Sequence, residues 1–76
     1  MNISETQWAS IHYKLSKEYD PSVLIIRSKM RRVLGFTPRR HTDWIDSHPV
    51  SWIVLDWFDD SKKTFFLLKY SEDLKQ

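Results

Sequence analysis

The chain has 76 residues, with 12 Lys and Arg against 10 Asp and Glu, one glycine and no cysteine. This length fits one small domain, and the lack of cysteine excludes disulfides, thiol nucleophiles and zinc knuckles. A single glycine excludes glycine-rich phosphate-binding loops and the nucleophile elbow. Because it has neither a run of about 18 apolar residues nor a secretion signal, we expect a soluble, cytoplasmic protein with no membrane partner.

The net charge of +2 is unevenly distributed along the chain. Residues 21–42 hold six Lys and Arg and no Asp or Glu, whereas residues 43–76 hold four Lys against seven Asp and Glu. A basic segment beside an acidic one creates a directional field, which favours an anionic partner for one surface. A solvated helix face is the alternative interpretation.

Residues 4–19 are predicted to form the first helix. Ser4 is a good N-cap and Gln7 follows three residues later, so the two predict a capping box. The apolar residues recur at spacings of three and four and form one inward stripe, namely Trp8, Ile11, Leu15 and Tyr19.

A second helix is predicted over residues 21–34. Asp20 suits its N-cap, Pro21 suits its first position, and Gly35 suits the left-handed residue that ends a helix. Its inward stripe is Val23, Ile26, Met30, Val33 and Leu34. Additional apolar residues widen this stripe, so we expect the helix to be covered on more than one side, by the rest of the chain or by a second copy.

A short third helix is predicted over residues 38–47, with Thr37 as its cap, Pro38 in its first turn and Pro49 as its stop. On this helix one face would be shared by His41, Trp44, Ile45 and His48. The alternative is a looped passage with 3₁₀-like turns, because few of these residues are firmly apolar.

The last predicted element is an antiparallel hairpin over about residues 50–70, where two apolar runs flank a charged tetrapeptide. With Asp60 and Ser61 in its turn, one face is almost wholly apolar. The other face is mixed: Trp52, Val54, Asp56, Phe58, Lys63, Phe65, Leu67 and Lys69. Residues 71–76 are expected to fray or to form one capped turn. The predicted fold class is therefore α+β, with two N-terminal helices, a short third helix and a C-terminal antiparallel β-hairpin.

The chain offers one cluster of metal-ligand residue types, His41, Asp43, Asp46 and His48. On a helix the two histidines would lie about 10 Å apart along the axis, too far to bind one ion at the ~2.0–2.2 Å that each ligand requires. In a loop this objection would weaken. We expect no metal, no cofactor, no catalytic residue and no small-molecule substrate, and hence a non-enzymatic protein.

The predicted second and third helices and the turn between them resemble a helix-turn-helix, and the hairpin after them resembles the wing of its winged variant. The resemblance covers residues 22–48 and implies that Arg39, Arg40 and Asp43 face the bases. It also implies phosphate contacts from basic residues on the neighbouring elements. The predicted nucleic-acid-binding residues are Arg27, Arg31, Arg32, Arg39, Arg40, Lys62 and Lys63.

The alternative function is a protein-interaction module or inhibitor that docks through the aromatic face or the edge of the hairpin, with a homodimer as one form of it. The predicted interface residues are Trp52, Val54, Phe58, Phe65 and Leu67. Aromatic hairpins also stack unpaired bases, so Trp52 and Phe65 leave a single-strand or RNA variant open. We expect a small regulatory binding protein, with nucleic acid preferred as its target.

Overall fold

The computed structural model describes residues 1–75 and has an α+β fold. The elements follow in the order β1 (Asn2–Ile3), α1 (Glu5–Glu18), α2 (Pro21–Ile25), α3 (Arg27–Leu34), β2 (Phe36–Ile45), β3 (His48–Trp57), α4 (Asp60–Lys69) and α5 (Ser71–Leu74). The three strands form one antiparallel sheet in the order β1–β3–β2. Within the described residues, no helix is long and apolar enough to span a membrane.

Helix α1 begins where the sequence predicts it. The hydroxyl oxygen of Ser4 accepts a hydrogen bond from the Gln7 amide at 3.0 Å, and the Gln7 side chain accepts one from the Ser4 amide at 2.8 Å. This reciprocal pair is the predicted capping box, which satisfies amides that a helix N-terminus otherwise leaves without partners. Ile11 and Leu15 are buried on the inward side.

The predicted helix over residues 21–34 is divided in two. The N-cap at Asp20 and the helix end at Gly35 are confirmed, with Gly35 in the left-handed conformation at φ 81°. The helix is interrupted at Ile26, which is extended at φ −92° and ψ 109°. Ile25 and Ile26 are both β-branched and lose side-chain freedom in a helix, so the break falls where helix propensity is weak.

The predicted third helix over residues 38–47 is wrong, and so is the looped alternative. These residues belong to β2 and to the turn after it, and β2 pairs with β3 along its whole length, from Phe36 opposite Trp57 to Ile45 opposite His48. The local signal of a cap followed by proline was overridden by long-range strand pairing, which propensity alone does not report.

The predicted C-terminal hairpin over residues 50–70 is also wrong. Its first half is β3, but its second half is α4, so the hairpin lies one element earlier in the chain. Asp59 caps α4 by accepting a hydrogen bond from the Lys62 amide at 3.1 Å. Phe66 and Tyr70 are buried four residues apart, which is the spacing of one helix face.

The β2–β3 turn is a two-residue loop in which Asp46 and Ser47 have φ values of 51° and 66°. Positive φ at both central positions is the type I′ conformation, whose twist matches that of the flanking strands. The tightness of this turn fixes the hairpin register.

The C-terminal tail forms one helical turn, α5, and Gln76 lies outside the described residues. Asp73 on α5 is buried and accepts hydrogen bonds from Lys14 at 2.7 Å and from Ser10 at 2.5 Å, both on α1. The hydrogen bond from Lys14, and after it the one from Ser10, lowers the pKa of the Asp73 carboxyl below its usual value. The tail is therefore tied to α1 by a charged pair.

Side-chain alternation divides the sheet into two faces. The covered face carries Phe36, Ile53 and Leu55, which are buried in the core beneath the helices. The ring of Phe36 lies 6.1 Å from that of Trp8 on α1 and 5.3 Å from that of Phe66 on α4. Helices from both ends of the chain therefore pack on this one side of the sheet.

We name the opposite side of the sheet the open face. Its residues are Asn2, Thr37, Arg39, His41, Asp43, Ile45, His48, Val50, Trp52, Val54 and Asp56. Two cross-strand contacts, between Arg39 and Asp56 and between His41 and Trp52, are consistent with this assignment. Among the described residues, none on the open face belongs to the hydrophobic core.

Candidate nucleic-acid interface

The hairpin consists of a base and a tip that differ in burial. The tip, residues 41–50, is exposed throughout. The base, residues 36–40 and 51–57, contains the buried side chains of the covered face and the buried Thr37 of the open face. The molecule extends 39 Å along its longest axis and 25 and 23 Å along the others. A candidate surface on the base is therefore held by the core, whereas one on the tip is not.

Two ring groups lie on the open face. His41 and Trp52 are directly opposite each other, with ring centroids 4.7 Å apart and planes 47° apart. Phe58 follows β3, and its amide donates to the Gly35 carbonyl oxygen at 2.8 Å, which extends the ladder by one pair. Alternation then places Phe58 on the same face as Trp52. Half of the Phe58 surface, 50%, is exposed.

Three of the predicted arginines surround this face. The guanidinium of Arg31 lies 4.1 Å from the centroid of the Phe58 ring. Arg39 donates a hydrogen bond to Asp56 at 2.9 Å. Arg27, on α3, donates one to the carbonyl oxygen of Pro38 at 3.2 Å, at the outer edge of β2. The fold thus brings together three arginines that span twelve positions in the sequence.

The other predicted nucleic-acid-binding residues lie elsewhere. Arg40 alternates to the opposite side of the sheet, where it is 3.5 Å from Glu5 of α1. Lys62 donates a hydrogen bond to the carbonyl oxygen of Arg32, at the junction of α3 and α4. Lys63 is the next residue on α4. The predicted basic residues therefore form one group around the open face and a second group at the helix junction, and Arg40 belongs to neither.

The helix-turn-helix arrangement is wrong, because its second helix is strand β2. Arg39 and Asp43 do share the open face, but Arg40 does not. The predicted protein-interface residues are likewise divided between two elements. Trp52, Val54 and Phe58 lie on the open face, and Phe65 and Leu67 lie on α4.

Sequence reasoning placed His41 on a helix face and did not assign Asp56 to the site. A signal was available, because residues 48–57 are rich in β-branched and aromatic residues, as strands are, and a strand of this length requires a partner of similar length. The segment immediately before them, residues 36–45, has that length. A strand over this segment, joined to β3 by a two-residue turn at Asp46-Ser47, places His41 opposite Trp52.

The edge of β2 is protected against pairing with another strand. The Leu55 amide donates a hydrogen bond to the Met1 carbonyl oxygen at 2.8 Å, so the backbone N–H and C=O of Leu55 point away from β2. Pro38 is paired with Leu55, and its backbone groups therefore point away from β3, toward the outer edge of the sheet. Proline has no N–H to offer, and Arg27 occupies the Pro38 carbonyl oxygen. Further along, the Trp44 amide donates to the Asp43 side chain at 2.8 Å.

Between Pro38 and Trp44, in the part of the chain that the structure describes, only Arg40 and Thr42 have an outward N–H that is free to pair with another strand. On β3, Pro49 stands at the corresponding outward position opposite Trp44. Protein binding by strand addition at this edge therefore has little free backbone to use. The face of the sheet, and not its edge, is the candidate surface.

No group of three or more His, Asp or Glu side chains within residues 1–75 is placed to hold a metal ion. No protein-family model, curated protein or solved structure matches the chain. The predicted protein interface and homodimer stay predictions.

Proposed function

We propose that the protein binds nucleic acid across the base of its open face. One observation supports this most strongly: Arg31 lies against the Phe58 ring, Arg39 shares the open face with the rings and Arg27 lies at its edge, on a surface where Asp56 is the one carboxylate of the base. Guanidinium groups bind phosphate in a planar, bidentate manner and also stack flat on rings, whereas the lysine ammonium is a compact point charge. A surface that combines both is suited to a phosphodiester chain with bases attached.

The arginines on this surface can exchange their present partners for phosphate. Arg39 and Asp56 are 53% and 37% exposed, and an ion pair this exposed contributes only about 0–1 kcal/mol. Arg27 and Arg31 have no carboxylate partner among the described residues. A polyanion that contacts all three would therefore displace one weak ion pair and the hydrogen bond from Arg27 to the Pro38 carbonyl oxygen.

Binding can be tested by fluorescence anisotropy with end-labelled oligonucleotides over a range of salt concentrations. With about three phosphate contacts, the slope of log affinity against log salt is expected to be about −2 to −3. No binding at about 50 mM salt, where nonspecific contacts are strong, would overturn the proposal.

A charge-matched pair of variants locates the surface. Arg27→Gln/Arg39→Gln is expected to bind at least about tenfold more weakly and to reduce the magnitude of the salt slope by about one to two. Lys17→Gln/Lys75→Gln removes the same charge from α1 and from the end of the chain and should change affinity little. Equal losses in both would mean that net charge alone drives binding.

Asp56→Asn gives a test with the opposite sign. The substitution removes the carboxylate of the base and weakens the 2.9 Å hydrogen bond that holds Arg39, because the acceptor is no longer charged. Because both effects favour a polyanion, affinity should rise. An unchanged or lower affinity, in a variant with the parent's melting temperature, would contradict a role for Arg39.

A further inference from the structure

The open face carries a stacking platform at each end of its base. At one end the His41 and Trp52 rings lie 4.7 Å apart, and at the other the Arg31 guanidinium lies 4.1 Å from the centroid of the Phe58 ring. Rings and guanidinium planes are the surfaces on which unpaired bases stack. In a duplex each base face is already covered by its neighbour, so neither platform could be used.

The hairpin tip argues against the duplex alternative. A two-stranded β-ribbon has the right width to enter the major groove of DNA. The tip, however, carries Asp43 and Asp46 and no Lys or Arg over residues 41–50. Insertion would bring these carboxylates between two rows of phosphates, and like charges held close together repel. The basic residues lie at the base, where they cannot offset this repulsion.

We infer that the ligand is a single strand, DNA or RNA, that crosses the open face with one base on Trp52 and another on the Arg31–Phe58 platform. This inference rests on the proposed function and names its substrate class. Arg39 and Arg27 would contact phosphates between the two platforms.

The distance between the platforms sets the length of the site. Trp52 and Phe58 are six residues apart, which corresponds to roughly 20 Å at ~3.3 Å per strand residue. At ~3.4 Å per stacked nucleotide, this distance accommodates at most about six nucleotides. Affinity should therefore rise with oligonucleotide length up to about six nucleotides and then level off.

The chain provides a matched pair of tryptophans for the test. Trp52 lies on the open face, whereas Trp44 is on the same hairpin but alternates to the other side and is 70% exposed. Trp52→Ala is expected to weaken single-strand binding roughly 5- to 150-fold, the range for loss of one stacked base. Trp44→Ala should leave it unchanged, and a blunt duplex of the same sequence should bind at least about tenfold more weakly than the single strand.

Conservative variants keep the inference testable where Trp52→Ala lowers stability. An unlabelled single strand should quench the tryptophan fluorescence of Trp44→Phe, which keeps Trp52. It should quench the fluorescence of Trp52→Phe, which keeps Trp44, much less. The single-strand inference would be overturned if duplex and single strand bound with equal affinity and both variants were quenched equally. If Arg27→Gln/Arg39→Gln still bound more weakly in that case, the proposal of nucleic-acid binding would stand. Failure of every oligonucleotide to bind would overturn both.

Discussion

Arg27 donates a hydrogen bond to the carbonyl oxygen of Pro38 at 3.2 Å, across the outer edge of β2. Together the two residues remove both hydrogen-bonding groups that this position would otherwise offer to a second strand. Natural sheets protect exposed edges with prolines and charged side chains in this way. We therefore expect the contact to hinder pairing of the hairpin with another copy of itself.

Removal of Pro38 and of the Arg27 hydrogen bond is expected to cause self-association. Arg27→Ala/Pro38→Val restores an outward N–H and frees the carbonyl oxygen, so the edge becomes a template for pairing. Light scattering over a concentration series should then give a larger mass for the variant than for the parent. The control Arg32→Ala/Pro38→Val keeps the hydrogen bond from Arg27 to residue 38 and should associate less than Arg27→Ala/Pro38→Val. The same mass as the parent at every concentration would refute this role of the edge.

The β2–β3 turn predicts that Ser47→Gly stabilises the protein. Ser47 has φ 66°, a left-handed conformation that costs an L-residue about 1–2 kcal/mol and costs glycine little. Because glycine also loses more entropy on folding, we expect a net gain of up to about 1 kcal/mol in urea unfolding. Ser61→Gly, the same change within α4, should lose roughly 0.5–1 kcal/mol. A loss at both positions would contradict the turn assignment.

The helix boundaries that the sequence predicted are those with a local physical cause. The capping box of Ser4 and Gln7 involves residues three apart, and the left-handed end at Gly35 depends on one residue. The hairpin was misplaced because its turn, Asp46-Ser47, lacks the glycine that usually marks a type I′ turn. Thr37-Pro38 then resembled a helix start, although both residues lie in a strand.

The candidate site was predictable in charge but not in arrangement. The concentration of arginines in residues 21–42 is a property of the sequence and needs no structure. Which arginines share a surface depends on whether the segment is a helix or a strand, because neighbours in a strand face opposite ways. The predicted helix lets Arg39 and Arg40 act together, and strand β2 separates them.

Tyr70 provides a stability prediction inside the core. Its hydroxyl is buried without a hydrogen-bond partner among the described residues, and burial raises the pKa of that hydroxyl. A buried polar group without a partner destabilises a fold by roughly 1–3 kcal/mol. Tyr70→Phe should therefore raise the free energy of unfolding by about 1 kcal/mol. Tyr13→Phe, at a residue that is 60% exposed, should change it little, and a clear loss in Tyr70→Phe would reveal an unrecognised partner.

Asp73 predicts a dependence of stability on acid pH. Hydrogen bonds from Lys14 and Ser10 lower the pKa of the Asp73 carboxyl in the folded chain, whereas an unfolded chain has the ordinary value of about 3.9. A carboxyl with a lowered folded pKa stabilises the protein at pH values above the unfolded pKa, and this contribution is lost as the pH falls through the folded pKa. Asp73→Asn should therefore cost roughly 1–3 kcal/mol near neutral pH, and the difference from the parent should shrink below about pH 4. Glu72→Gln, at a neighbouring side chain that is 87% exposed, should show no such difference. A cost of Asp73→Asn that stays constant between neutral and strongly acid pH would mean that the carboxylate charge does not hold α5 against α1.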